Sequence, residues 1–356
     1  MDGLRIHVHV VNLDRTDTGA TDGVSFRRMM IMRSLSAVLV LSLAGACAQP
    51  PAPAAPETRP DPLPGTKLSV EQLKAQMFHV SAGKRLKPAW PNGARVAVGL
   101  SFDVDNATAT LSTGNLDYEI LSRGEYGAVD GLPRILRMLD RQQVPASFFI
   151  PAASAVLHPK VITDIQSAKL PHEIGVHGWI HERLPLLNDE KEEQRLLDLS
   201  IETLTKMTGK RPVGYRAPSW KYSGWTMGQV KAAGFLYDSS LMASDDAYEL
   251  LLDGTPTGIV ELPIERILDD APYFGSNADG SNPSVGDVFE VFQSEFDVAY
   301  DEGGLFLLTM HPHMMGHRSR TAMLEKLVQY IKSKPGVWFA THEQIANHVK
   351  PLIAAK

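Results

Sequence analysis

From about residue 90 the chain alternates short apolar runs with longer amphipathic ones. The runs at 95–102, 146–150, 173–176, 213–215, 235–237, 259–262, 305–310 and 337–340 have strand length. Helical spacing separates them at 132–141, 190–207 and 285–300; in the last, Val288, Val291, Phe292, Phe296 and Tyr300 fall on one face. Strand and helix in alternation predict an α/β fold, a mainly parallel sheet with helices outside, open or closed into a barrel.

The pattern changes before residue 67. Arg27, Arg28 and Arg33 precede an apolar stretch at about 35–43 and a small-residue run, Ala44-Gly45-Ala46-Cys47-Ala48. That is the layout of a bacterial export signal, too short for a span of about 20 apolar residues. Residues 1–48 are therefore read as leader and export signal, with Met29, Met30 and Met32 as alternative starts. Leu43 to Cys47 resembles a lipobox, with its Leu one place further than usual from the cysteine. Cys47 is then a lipidation site and a membrane anchor; the competing reading is cleavage after Ala48. Either way the protein is expected to be exported, to periplasm or cell envelope. Cys47 is the only cysteine, so no internal disulfide can form. Residues 49–66, rich in Pro and Ala, cannot bury a core and read as an extended linker. Residues 67–356, about 290 in all, suit a single catalytic α/β domain. A net charge of −6 without basic blocks argues against nucleic acid as a partner, and a homo-oligomer is compatible with the sequence.

Chemically able side chains follow the predicted strands at their carboxyl ends: Asp103 and Asp105 after the first, His177 and His181 after the third, then Arg216, Asp238 and His311. In barrels of this class that end carries the active site. Two residues apart on extended chain, Asp103 and Asp105 project to one face; four apart, His177 and His181 share a face if the chain turns helically there. Carboxylate plus two imidazoles suits a divalent, zinc-like ion with room left for water. An Asp pair at a strand end also serves as a turn or cap, and an HxxxH run as polar packing; the shared register favours the metal reading. His313 and His317 repeat the spacing without a nearby carboxylate. A nucleophile elbow, a P-loop and a dinucleotide-binding glycine turn are all missing, which disfavours serine, phosphoryl and hydride chemistry.

Asp103-Val104-Asp105, His177 to His181, Tyr215-Arg216-Ala217-Pro218-Ser219-Trp220, Tyr237-Asp238-Ser239-Ser240 and Thr309-Met310-His311-Pro312 resemble, in order and spacing, the motifs of the NodB-type polysaccharide deacetylases, carbohydrate esterase family 4. The resemblance spans about 90–348. It implies a distorted, incomplete (β/α) barrel and metal-dependent removal of acetyl groups from an N-acetylated glycan such as peptidoglycan or a chitin-like oligosaccharide. Val104 separates the aspartates, as in the branch that resembles Helicobacter-type peptidoglycan deacetylases and allantoinase-like proteins. Allantoinase-like members lack the second histidine, whereas His181 is present. By this resemblance Asp105, His177 and His181 hold the metal, Asp103 is the base, His311 the acid, Arg216 the partner of the base and Asp238 the partner of the acid. Trp220 and Tyr273 are candidates for a sugar platform, against the alternative that they fill core. An amidohydrolase or imidase on a small cyclic amide, and a sugar-binding relative without turnover, are the competing functions.

Overall fold

The computed structural model describes residues 65–275 and 282–354. The leader, Cys47 and nearly all of the linker lie outside the described residues. Among the described residues ten strands form one sheet: β1 (Val80–Arg85), β2 (Val96–Asp103), β3 (Ser147–Ile150), β4 (Glu173–Val176), β5 (Gly214–Tyr215), β6 (Tyr237–Asp238), β7 (Tyr248–Leu252), β8 (Thr255–Glu261), β9 (Leu305–Met310) and β10 (Val337–Phe339).

All eight residues of β2 are buried, as expected of a near-continuous apolar run covered on both faces. It pairs in parallel with β9, β3 and β10, and the sheet continues in parallel through β4, β5, β6 and β8. Its far edge is antiparallel, β8 to β7 to β1. The sequence pattern misses this edge because β1 is half exposed and reads Val-Ser-Ala-Gly-Lys-Arg, too polar to stand out. Between β8 and β9 the sheet does not close. Its tie there is a single bridge, Asp269 to Thr309, with the Asp270 N–H donating to the Thr309 carbonyl at 3.1 Å. The result is the distorted, incomplete (β/α) barrel.

The three predicted helices appear as Leu132–Gln142, Glu190–Thr208 and Val285–Glu302. Local chemistry sets their ends. Asp189 accepts from the N–H groups of Lys191 and Glu192, Ser284 and Asp287 form a capping box, and Gly209 and Gly303 close the carboxyl ends in left-handed conformation. Val288, Phe292 and Phe296 are buried, and Phe296 meets Phe306 of β9 edge-to-face at 5.6 Å. Truncating such a ring to Ala costs about 3–5 kcal/mol.

Two features hold the strand ends in place beneath the site. Gly124, in the helix Tyr118–Tyr126, lies so close to the Asn106–Ala107 backbone that a Cβ there would clash; this presses the helix on the turn after Asp105. At the foot of β4, His172 Nδ1 accepts the Ala146 N–H at 3.1 Å, so the ring must stay neutral. Burial lowers its pKa to about 4. Between pH 6.5 and 4 the unfolded chain binds this proton and the folded chain does not, so stability falls as pH drops through that window. Urea midpoints at pH 7.5 and 5.0 should differ, with His172 contributing at most about 2 kcal/mol, and His172→Gln should narrow the gap.

Candidate active site

The carboxyl ends of β2, β4, β5 and β9 open on one cavity of about 450 Å³, whose lining includes Asp103, Asp105, His177, His181, Trp220, Asp269 and His311. Asp105, His177 and His181 converge there, each offering one ligand atom within 4.8 Å of the others. The convergence is not helical. Gly178 (φ +72°) and His181 (φ +58°) both take left-handed backbone, and a Cβ on Gly178 would strike Pro218 and the Glu182 carboxylate. Buried Glu182 accepts from the N–H groups of Trp179 and Ile180 at 2.9–3.1 Å and so clamps the turn. A non-glycine residue in this region stores about 1–3 kcal/mol, held by surrounding structure.

The donor set fits a divalent cation. His177 Nδ1 lies 2.8 Å from the Arg216 carbonyl, which can only accept, so the proton sits on Nδ1 and Nε2 presents a lone pair. Burial lowers the pKa of His177, and burial with the charge of His311 lowers that of His181 to about 4. The 3.5 Å separations of His177 Nε2 from Asp105 Oδ1 and of His181 Nε2 from Asp105 Oδ2 are therefore contacts of neutral rings, not ion pairs. Asp105 Oδ1 is buried without a hydrogen-bond donor, and burial raises the pKa of this carboxyl. Ligands about 2.1 Å from a shared ion would stand about 3.4 Å apart.

Asp103 faces the trio from the back wall, its Oδ2 3.7 Å from His177 Nε2. Burial alone would raise its pKa, but the Arg216 guanidinium, with His311, holds it below the usual carboxylate range. Arg216 is fully buried. It donates to Asp103 Oδ1 at 2.6 Å, Ser101 Oγ at 3.0 Å, and the carbonyl and hydroxyl of Ser239 at 3.0 and 2.9 Å, and its guanidinium lies 4.0 Å from the Phe149 ring centre. His342 Nε2 stands 3.4 Å from Nη2, its ring steadied through Ser147, whose hydroxyl donates to Glu173 at 2.7 Å.

His311, at the end of β9, points Nε2 to within 3.7 Å of Asp105 Oδ2. The acid that holds it is Asp270, not Asp238. Asp270 accepts the His311 backbone N–H at 3.0 Å on one oxygen and pairs with Nδ1 at 2.7 Å on the other, while Asp269 lies 3.6 Å away. Burial opposes the charged ring, but Asp270, with Asp269 and Asp105, overrides it and raises the pKa well above the ordinary range. Asp269, Asp270 and His311 could geometrically cage an ion, but Asp270 is already committed on both oxygens. Asp238 is directed elsewhere by sheet register: it lies opposite Glu261 on β8, both fully buried. Burial raises both carboxyls, and Glu261 is pushed further by the charge of Asp238.

Of the two platform aromatics, only Trp220 lines the cavity. Tyr273 packs edge-to-face on Phe292 at 5.8 Å and donates its hydroxyl to the Ile267 carbonyl, a core-facing role that its apolar ring dictates. His317 stacks on Tyr126 and His313 makes an edge contact with His311; neither joins a carboxylate cluster among the described residues. Sequence reasoning missed Asp270, Glu182 and His342. Asp269-Asp270 follows β8 as the other site residues follow their strands, and that rule would have found it.

A trio able to hold a metal ion thus lies between a carboxylate–arginine pair and a histidine–aspartate pair in one cavity. The family model for polysaccharide deacetylase matches residues 124–237. A solved Mycobacterium smegmatis structure assigned to the polysaccharide deacetylases superposes with a TM-score of 0.70 at 35% identity, covering 77% of this chain and 96% of that one. Peptidoglycan deacetylase of Helicobacter pylori is 29% identical over 71% of this chain and 95% of its own length. The PuuE allantoinase structure superposes with a TM-score of 0.66 at 26% identity, covering 75% of this chain and 94% of that one. The chain belongs to the polysaccharide deacetylase family and is a hydrolase of carbon–nitrogen (amide) bonds.

Proposed function

We propose that this protein removes N-acetyl groups from an N-acetylated glycan, peptidoglycan or a chitin-like oligosaccharide, using a zinc-like divalent ion held by Asp105, His177 and His181. The observation that carries the reading is the placement of Asp103, tied to Arg216, and His311, tied to Asp270, around that trio in one cavity. When bound, the ion supplies Lewis-acid polarisation of the amide carbonyl and a more acidic water. Asp103, kept ionised by Arg216, takes the proton of the water that attacks the amide carbon. Protonated His311 gives its Nε2 proton to the departing amine as the carbon–nitrogen bond breaks, while Asp270 fixes the ring and favours its charged form. Acetate and a free amino sugar result. The export signal would place this reaction in the periplasm or cell envelope, with Cys47 as the lipid-bearing residue.

Likeness to an allantoinase structure favours a second reading, hydrolysis of a small cyclic amide; the presence of His181 in the ligand trio weighs for the deacetylase. Metal content of the purified protein, followed by acetate release from N-acetylglucosamine oligomers and peptidoglycan and by turnover of allantoin and hydantoin, separates the two. About one ion per chain and acetate release support the proposal; ring opening without acetate release overturns it.

The acid arm gives a paired prediction. Asp270→Asn should lower kcat for acetate release by roughly 10²–10⁴-fold, the range of general acid–base catalysis. Asp238→Asn should change it less than about threefold, because its carboxyl faces Glu261 and not the cavity. Equal losses would contradict the assignment.

A further inference from the structure

The floor of the cavity is acidic, but its mouth is not. Besides the catalytic groups, the lining contains three cations, Arg123, Lys221 and Arg266, and the other carboxylate that lines it, Asp269, lies on the floor beside His311. Lys221 and Arg266 are exposed, and among the described residues neither forms an ion pair with a carboxylate. The nearest acid in sequence, Glu265, turns back to accept the N–H of Arg266 at 2.6 Å.

The mouth is also built. Ser219 (φ +54°) and Trp220 (φ +61°) are consecutive non-glycine residues in left-handed conformation, a rare and costly turn that sets the Trp220 ring in the cavity wall. The Arg266 guanidinium lies over that ring at 5.4 Å, and Lys221 is the next residue of the same turn. A guanidinium laid on an indole keeps its fork of N–H donors in one plane and loses less freedom on meeting a carboxylate. Sugar stacking alone would need the ring without the cations.

We infer that Lys221 and Arg266, around Trp220 and with Arg123 lining the same cavity, form an anion-binding subsite that selects acidic N-acetylated glycans over neutral ones. The inference rests on the deacetylase reading and narrows its substrate class. A carboxylate on the sugar presenting the acetamido group, or on its neighbour, would meet the two cations while the amide reaches the floor.

The test compares each acidic substrate with its own methyl ester, which removes the charge and keeps the shape. Two probes place the carboxylate differently: a tetrasaccharide alternating N-acetylglucosamine and glucuronic acid, and the disaccharide of N-acetylglucosamine with N-acetylmuramic acid. For at least one, the acid-over-ester ratio of kcat/KM should be about tenfold in low salt and shrink at 0.5 M salt, as screening requires. In the Lys221→Gln, Arg266→Gln double variant the ratio should fall toward one, and Arg266→Lys should keep part of it. A native ratio near one for both probes, or a ratio that survives the double substitution, overturns the subsite. If no glycan yields acetate, the deacetylase reading fails by itself, and the same ratio read from calorimetric Kd values still decides whether the mouth prefers anions.

Discussion

Protein stripped of its divalent ion by a chelator is expected to release no acetate above background, and to melt roughly 5 °C below the loaded form. Both properties should return when the ion is restored. Without a cation, two neutral imidazoles, His177 buried and His181 partly so, face a buried carboxylate with one oxygen that no donor reaches, an arrangement of lone pairs against a negative charge. A cation converts those unfavourable contacts into ligand bonds, so binding favours the folded state as well as the chemistry. His181→Ala should reproduce the loss, since it removes one ligand while Glu182 still clamps the turn through backbone N–H groups. Undiminished turnover in excess chelator would rule the metal reading out.

The Asp103→Asn variant should bind its ion with unchanged stoichiometry and release acetate about 10³-fold more slowly, within the span typical of a lost general base. The substitution keeps the shape and an oxygen that Arg216 can still meet, yet removes the group able to take a proton. Its second effect is on stability. Arg216 is wholly buried, and its charge is met at 2.6 Å by Asp103 alone, its other partners being neutral hydroxyls, a carbonyl and His342. Leaving a buried charge without its counter-charge costs about 3–5 kcal/mol, so the variant should melt earlier as well as turn over slowly. Metal content separates the two effects: a variant that loses ion in step with activity has a damaged ligand set, whereas one that keeps the ion has lost its base. Activity within a few-fold of the native protein would remove Asp103 from that role.

The sequence reading succeeds where chemistry is local to a strand end. Val96 to Asp103 and Leu305 to Met310 are mostly apolar and buried throughout, so their ends, and with them Asp103, Asp105 and His311, could be read along the chain. Arg216 follows β5 in the same way and meets Asp103 as the family resemblance implies. It fails where a partnership is made by the curl of the sheet. Asp270 and His311 are 41 residues apart and meet because β9 and the segment after β8 form one bridge, whereas Asp238, nearer the expected motif, is turned to Glu261 by the register of β6 on β8. The approach of His177 to His181 looks helical in spacing but is achieved by two left-handed residues and a buried glutamate, which a four-residue interval does not encode. Tyr273 is misplaced for a simpler reason: an aromatic beside a motif can turn inward, and Phe292 receives it.

The seam between β8 and β9 divides the machinery into two mechanically unequal parts. The Asp103–Arg216 pair is welded into the centre of the sheet, where β2 has neighbours on both edges and Arg216 is pinned by five contacts. Asp270, the partner of His311, sits instead on a segment joined to β9 by one bridge beside an interruption, while His311 itself follows β9, which pairs with β2 along its length. Changes of sequence in the stretch after β8 would therefore act first on Asp270 and the His311 ring it holds, and on what enters from that flank, which makes this margin the natural place for new specificities to evolve or to be engineered.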